Sequence, residues 1–145
     1  MKYQKELKQY LANLSVLNVK LHNLHWNVVG EQFNAIHAFT EGLYDAYFKL
    51  YDEIAEILKI KGIYPPATIK TYLELTNIDE LPENVNYTTK EVLSIIISDI
   101  IIMKDLALKI REAANEEDDF EVLSEIEDHI KEYNKNLWIL NSMTK

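Results

Sequence analysis

What limits this chain most is where its helix breakers fall. Only three of its 145 residues are Gly and three are Pro. Gly30, Gly62, Pro65, Pro66 and Pro82 cut it at three places, and apart from Gly42 the remaining stretches hold neither residue. Long uninterrupted stretches read as helices when their apolar residues recur every three or four positions. From about Tyr3 to Val29 those positions are Leu7, Tyr10, Leu11, Leu14, Leu17, Leu21, Leu24 and Val28. Gly30 then sits where a C-terminal cap is wanted. A second helix is expected from about Asn34, as N-cap, to Lys61, with Gly62 as its stop. Tyr64-Pro65-Pro66 makes a rigid turn.

Thr68 to Leu75 reads as a short extra helix. A third long helix opens at Thr88, where Thr88-Thr89-Lys90-Glu91 has capping-box spacing. Its Ile95, Ile96, Ile97, Ile100, Ile101 and Ile102 would also suit a strand, since β-branched residues favour strands. The capping box, the length and the charged continuation from Lys104 to Glu112 favour a helix buried on several sides. The last helix starts near Asp118 and carries Phe120, Leu123, Ile126, Ile130, Tyr133, Leu137, Ile139 and Leu140. No repeat or linker divides the chain, so residues 1–145 are expected to form a single domain. The fold class is all-α. Four long helices with a long connection between the second and third make a ferritin-like four-helix bundle, with the short extra helix in that connection.

Composition narrows the chemistry. Hydrophobic residues make up 48% of the chain, too many for a disordered one. The absence of Cys excludes disulfides, Cys-ligated zinc, iron–sulfur clusters and thiol catalysis. The net charge of −9 disfavours sequence-independent nucleic-acid binding unless a local basic patch exists. No apolar run reaches about 18 residues and no signal-peptide pattern is seen, so a cytoplasmic protein with no membrane partner is expected.

His and carboxylate chemistry remains. The common di-iron bundle site needs Glu-x-x-His on two helices. Here Val19, His22, Asn34 and Ile126 stand three residues before His22, His25, His37 and His129, so that site is not written. A different set is present on helix two. With His37 at zero, Glu41 lies near 40°, Asp52 near 60° and Glu56 near 100°, all on one stripe. His22 and His25 lie near the end of helix one. Imidazole and carboxylate suit iron, manganese or zinc. His37 and Asp52 are about 22 Å apart along one helix, too far to share an ion. Two antiparallel copies would bring the His37/Glu41 end of one against the Asp52/Glu56 end of the other, giving two equivalent sites per twofold dimer. Tyr44 and Phe48 lie between, as a dry crossing point would. Against this stands the ordinary reading: surface carboxylates are usually solvated, and a lone His25 is more often a hydrogen-bonded helix-end residue.

His22-Asn23-Leu24-His25-Trp26-Asn27-Val28-Val29-Gly30 closely resembles the signature of the Dps family, the twelve-subunit miniferritins. Phe33-Asn34-Ala35-Ile36-His37, Leu43-Tyr44-Asp45 and Tyr51-Asp52-Glu53-Ile54-Ala55-Glu56 follow at the family's spacing, and Leu137-Trp138 resembles its final-helix motif. The resemblance implies a ferroxidase centre at the twofold interface, with His25, His37 and Glu41 from one chain and Asp52 and Glu56 from its partner. The family's usual residue at position 41 is Asp. The resemblance also places Trp26 beside the site, to absorb oxidising equivalents, and makes His22 structural. An aromatic simply packed at the helix end is the alternative for Trp26. The implied activity is oxidation of Fe(II) by hydrogen peroxide or O2, with storage of ferric mineral in a dodecamer and protection against oxidative damage.

Nine acids lie between Glu116 and Glu132. Glu121, Glu125 and Asp128 share one face and at a threefold axis would form rings that draw cations inward. A solvated helix face is the ordinary alternative, and a pore aspartate expected near position 124 is Ser124 here. Family members often bind DNA through a Lys-rich N-terminal extension. Here only Lys2, Lys5 and Lys8 stand at the start, interspersed with Glu6, so DNA binding is expected to be weak or absent. The competing readings are a DNA-compacting scaffold and a structural bundle that has lost its metal site.

Overall fold

The computed structural model describes residues 1–145. Four long helices, α1 (Gln4–Asn27), α2 (Phe33–Ile60), α4 (Thr89–Glu116) and α5 (Phe120–Met143), form the bundle. Short connections join α1 to α2 and α4 to α5. Residues 61–88 make the long crossover and carry the short helix α3 (Ile69–Leu75). The expected four-helix bundle with its extra helix is therefore the fold. None of its helices is long and apolar enough to cross a membrane.

The helix ends follow from local chemistry. Thr88 and Glu91 form the expected capping box: the Thr88 hydroxyl accepts from the Glu91 N–H at 3.2 Å, and the Glu91 carboxylate accepts from the Thr88 N–H at 3.0 Å. Thr68 caps α3 by the first of these bonds alone, its hydroxyl accepting from the Thr71 N–H. Helix α2 closes with Gly62 at φ +79°, its N–H bonded to the Lys59 carbonyl and the next N–H, of Ile63, to the Leu58 carbonyl. That paired closure needs a left-handed residue, which glycine adopts without strain. Helix α4 closes by the same bonds, Asp118 to Asn115 and Asp119 to Ala114, but with Asp118 in the left-handed position at φ +54°.

Four expectations need correction. Asn34 is not the N-cap of α2: the helix begins at Phe33 behind Gln32, which makes no capping bond. Gly30, at φ +116°, does not cap α1 directly, because Val28 ends the helix in extended geometry. The last helix starts later than Asp118, which belongs to the closure of α4, and Asp119 caps α5 through the Val122 N–H. The isoleucine run is helical but buried on one face only: Ile96 and Ile100 are in the core and Ile101 is 45% exposed.

One element had no counterpart in the sequence reading. Val28–Val29 (β1) and Tyr87–Thr88 (β2) pair in parallel, Val28 with Tyr87 and Val29 with Thr88. This ladder ties the exit of α1 to the entry of α4.

Polar groups buried among the apolar core set how the helices meet. Lys20 on α1 bonds Asp99 on α4 at 2.8 Å with both side chains nearly fully buried. Asn13 on α1 holds the segment after α3 through Thr76 and Asn77. Tyr51 on α2 meets Tyr72 on α3 at 2.6 Å. Asp119 gathers Tyr3 and Lys61, joining the start of α1 and the end of α2 to the start of α5.

The two left-handed closures give opposite expectations. Gly62→Ala should lower stability by about 1 kcal/mol and Asp118→Gly should raise it by up to about 1 kcal/mol. The midpoint of urea unfolding measures both, and equal effects of the two changes would contradict the assignment.

Candidate metal centre

The site is built at the end of α1 where it faces the start of α2. His25 is 4% exposed and its ring stacks on His37, centroids 3.6 Å apart and planes 14° apart. The two rings are locked reciprocally. His25 Nδ1 donates to the His37 carbonyl at 2.7 Å, and His37 Nδ1 donates to the His25 carbonyl at 2.9 Å. A carbonyl oxygen only accepts, so each Nδ1 carries the hydrogen and each Nε2 keeps its lone pair. This is how a protein holds imidazoles ready for a metal. The helix-end hydrogen bond accounts for one nitrogen of His25 and leaves the other available.

Thr40 seats the pair from below. It is fully buried, bonds the Ile36 carbonyl at 2.8 Å and lies 3.0 Å from His25 Nδ1. Phe33 stacks on the other face of His37 at 5.0 Å. His22 takes a different role. Its Nδ1 donates to Asn18 O at 2.6 Å and its ring stacks on Tyr44 at 3.7 Å, while Tyr44 presents its edge to His25 at 5.2 Å. Trp26 is 67% exposed and leans on His22 at 5.6 Å, so it is not packed into its own chain.

The carboxylates lie along α2. Glu41, Asp52 and Glu56 are exposed, as is Phe48 between them, while Tyr44 is half-buried. The opposite side of α2 carries Ile36, Leu43, Tyr47, Ile54 and Leu58 into the core. Glu41 is close enough to His25 to favour its charged form. Burial outweighs this and holds the His25 imidazole below its usual range, so it stays neutral and able to ligate. At the far end, the Asp52 carboxylate raises the Glu56 carboxyl above its usual range, by accepting its hydrogen bond and by its negative charge. Two acids sharing a proton in this way have charge to give to a cation. Within one chain the His25/His37/Glu41 group and the Asp52/Glu56 pair stay apart on a single continuous helix.

A second constellation went unread in the sequence. Glu53 on α2 and Glu125 and His129 on α5 bring three potential ligand atoms within 4.8 Å of one another. The signal was present: Glu125 stands four residues before His129, one helical turn, a spacing that the three-residue step of Glu-x-x-His does not cover. Burial holds His129 below its usual range. Glu125 is pushed up to about 7, first by the hydrogen bond it shares with Glu53 and then by burial. Glu125 thus faces α2. Asp128 lines the same cleft as Glu125, whereas the exposed Glu121 does not, so only two of the three acids expected to share one face have common surroundings.

Residues 4–145 match the Ferritin-like domain model. "DNA protection during starvation protein 2" of Bacillus anthracis is 36% identical over 137 residues, covering 94% of this chain and 92% of that protein. The chain belongs to the Dps family of ferritin-like proteins. The Dps crystal structure from Bacillus brevis superposes with a TM-score of 0.91 at 30% identity, over 97% of this chain and 93% of that one. The Dps of Vibrio cholerae O1, described as a member of a broad superfamily of ferritin-like diiron-carboxylate proteins, superposes with a TM-score of 0.94 at 26% identity, over 99% and 89%.

For this Dps-family chain the two depressed histidines fix a pH response. A folded-state value below the unfolded one means that the unfolded chain binds the proton more readily. The stability they contribute is therefore complete above about pH 6.5 and is lost as pH falls through the folded values. The Tm of the unmutated protein minus that of His25→Gln should fall as pH drops from about 8 to about 5, while Glu125, raised to about 7, adds stability to both proteins over the same interval. A difference that stays constant or grows contradicts the reading.

Proposed function

We propose that the protein is an iron-oxidising, iron-storing member of the Dps family, taking ferrous ion as substrate and hydrogen peroxide or O2 as oxidant. The observation that carries this is the locked pair of His25 on α1 and His37 on α2, each with Nε2 free, where His37 shares one stripe of α2 with the exposed Glu41, Asp52 and Glu56. Two imidazoles and several carboxylates bind Fe²⁺, and the negative charge stabilises Fe³⁺ more strongly. Glu41 keeps the charge of the shorter Asp usual in the family and reaches one methylene further.

The site is completed by a second copy. Fifteen residues of helix separate His37 from Asp52, about 22 Å, so an antiparallel α2 from a partner supplies Asp52 and Glu56 to the His25/His37/Glu41 group. The exposed apolar side chain of Phe48 at the middle of the stripe supports this contact. Trp26, exposed beside His22 and one residue from His25, is placed to take up oxidising equivalents that escape the iron. Consuming Fe(II) and peroxide together denies the cell hydroxyl radicals, which is the protective role. A dodecameric shell is the assembly this reading requires. Glu121, Glu125 and Asp128 are the acids proposed to admit cations. The protein is proposed to act in the cytoplasm. DNA binding is no part of this reading, since Lys2, Lys5 and Lys8 are few against a net charge of −9.

Complementation tests the shared site. His37→Ala/Glu41→Ala and Asp52→Ala/Glu56→Ala should each oxidise anaerobically loaded Fe(II) at background rate after addition of peroxide. Co-assembled, the two variants form mixed dimers with one intact site each, so activity should return to roughly half per mixed dimer. Background rates in the mixture, with assembly confirmed by size, would overturn the shared site. Full activity in either variant alone would overturn the ligand assignment.

A further inference from the structure

The group formed by Glu53, Glu125 and His129 is separate from the donors proposed for iron oxidation. Around the axis of α2, Glu53 is about 100° from Asp52 and about 160° from His37, so it points to the opposite flank of the helix. That flank meets α5, whereas His25 and His37 lie where α2 meets α1.

Three observations on this flank concern ligand chemistry. The first is the donor set: His129 Nε2 lies 3.2 Å from a Glu53 oxygen and 3.2 Å from a Glu125 oxygen, and all three atoms are within 4.8 Å. The second is the burial and aim of the imidazole. His129 is 1% exposed, yet its Nε2 edge is turned towards the two carboxylates and not into the apolar core. Its other edge is held by Tyr10, whose hydroxyl lies 2.9 Å from Nδ1 and also bonds Tyr133. A hydroxyl donates or accepts, so Tyr10 can accept from Nδ1–H while donating to Tyr133, which leaves the Nε2 lone pair for a metal. The third is access. The three residues line a cleft of about 510 Å³ whose other walls include Asp45, Asp128 and Glu132. Lys49 is the one cation among the lining residues.

We propose that Glu53, Glu125 and His129 form a second metal site, contained within one chain, that takes a divalent transition cation such as Zn²⁺, Co²⁺ or Fe²⁺. One imidazole and two carboxylates favour these ions over Mg²⁺ and Ca²⁺, which prefer oxygen alone. Three protein ligands leave at least one coordination position open to the cleft, where water completes the shell. Tyr10 and Tyr133 orient the imidazole from behind.

Zn²⁺ is the probe. The protein carrying His37→Ala/Glu41→Ala, which removes half of each proposed iron-oxidising centre and leaves α5 untouched, is freed of metal and titrated with ZnCl2 by calorimetry. It should still bind one equivalent per chain, and adding Glu125→Gln should abolish that equivalent. Glu125→Gln keeps the size of the side chain, whereas His129→Ala would strip a buried partner from Tyr10. Crystals of the unmutated assembly soaked in Zn²⁺ provide an independent measurement. Anomalous density about 2.0–2.1 Å from His129 Nε2, between the two carboxylates, is the expected result. No density at that point, or an equivalent of Zn²⁺ unchanged by Glu125→Gln, overturns the proposal. Neither readout depends on iron oxidation, so this site and the interchain centre stand or fall separately.

Discussion

A polar group taken out of water is costly unless it finds a partner inside the protein, and α1 carries four buried side chains whose partners lie in four different places. Tyr10 reaches His129 on α5, Asn13 the segment after α3, Lys20 the Asp99 carboxylate on α4, and His25 the backbone of α2. Apolar packing alone would let neighbouring helices slide by a turn at modest cost. These bonds do not. Breaking the Lys20–Asp99 pair would leave a buried charge, a penalty of about 3–5 kcal/mol. The register of α2, α4, α5 and the segment after α3 against α1 is therefore fixed by hydrogen bonding, and the side chains proposed to bind metal inherit that register.

The reciprocal bonds between His25 and His37 show how fold and chemistry share one device. The His37 ring closes the His25 carbonyl in the last turn of α1, where such groups otherwise lack partners, and the His25 ring gives the His37 carbonyl inside α2 a further donor. The same bonds settle the tautomer that a metal requires. A substitution here would therefore loosen the α1–α2 junction and spoil the ligand geometry together. At the far flank, His129 repeats the arrangement with a tyrosine hydroxyl in place of a carbonyl. That exchange leaves its tautomer adjustable, so a proton or a metal can occupy Nε2.

Helices α2 and α5 also show what periodicity resolves. The stripe His37, Glu41, Asp52 and Glu56 was legible because its members share one helix and one period. Exposure along that stripe follows from the same period, since the core side chains of α2 lie on its other face. The Glu53–Glu125–His129 group was not legible. One member lies 72 residues from the next, and the neighbour relation exists only because α2 and α5 pack side by side. The two-residue β ladder was illegible for the same reason: two residues carry no period, and pairing Val28 with Tyr87 joins segments 59 positions apart. The start of α2 was misplaced at Asn34 because a good capping side chain is only an opportunity, and the turn at Gly30 brings the chain into α2 two residues earlier, behind Gln32.

By itself the sequence determined the four long helices, the crossover with its extra helix and the stripe of His37, Glu41, Asp52 and Glu56 along α2. These depend on breaker placement and on the 3.6-residue period, both local properties of a chain. It also carried the family resemblance, because the signature around His22 to Gly30 is contiguous. Only the tertiary structure decided which nitrogen of each histidine is free, which acids face one another across helices, and how buried polar groups are paired. Those outcomes depend on contacts between residues far apart in the chain, and desolvation decides them only after the helices have met.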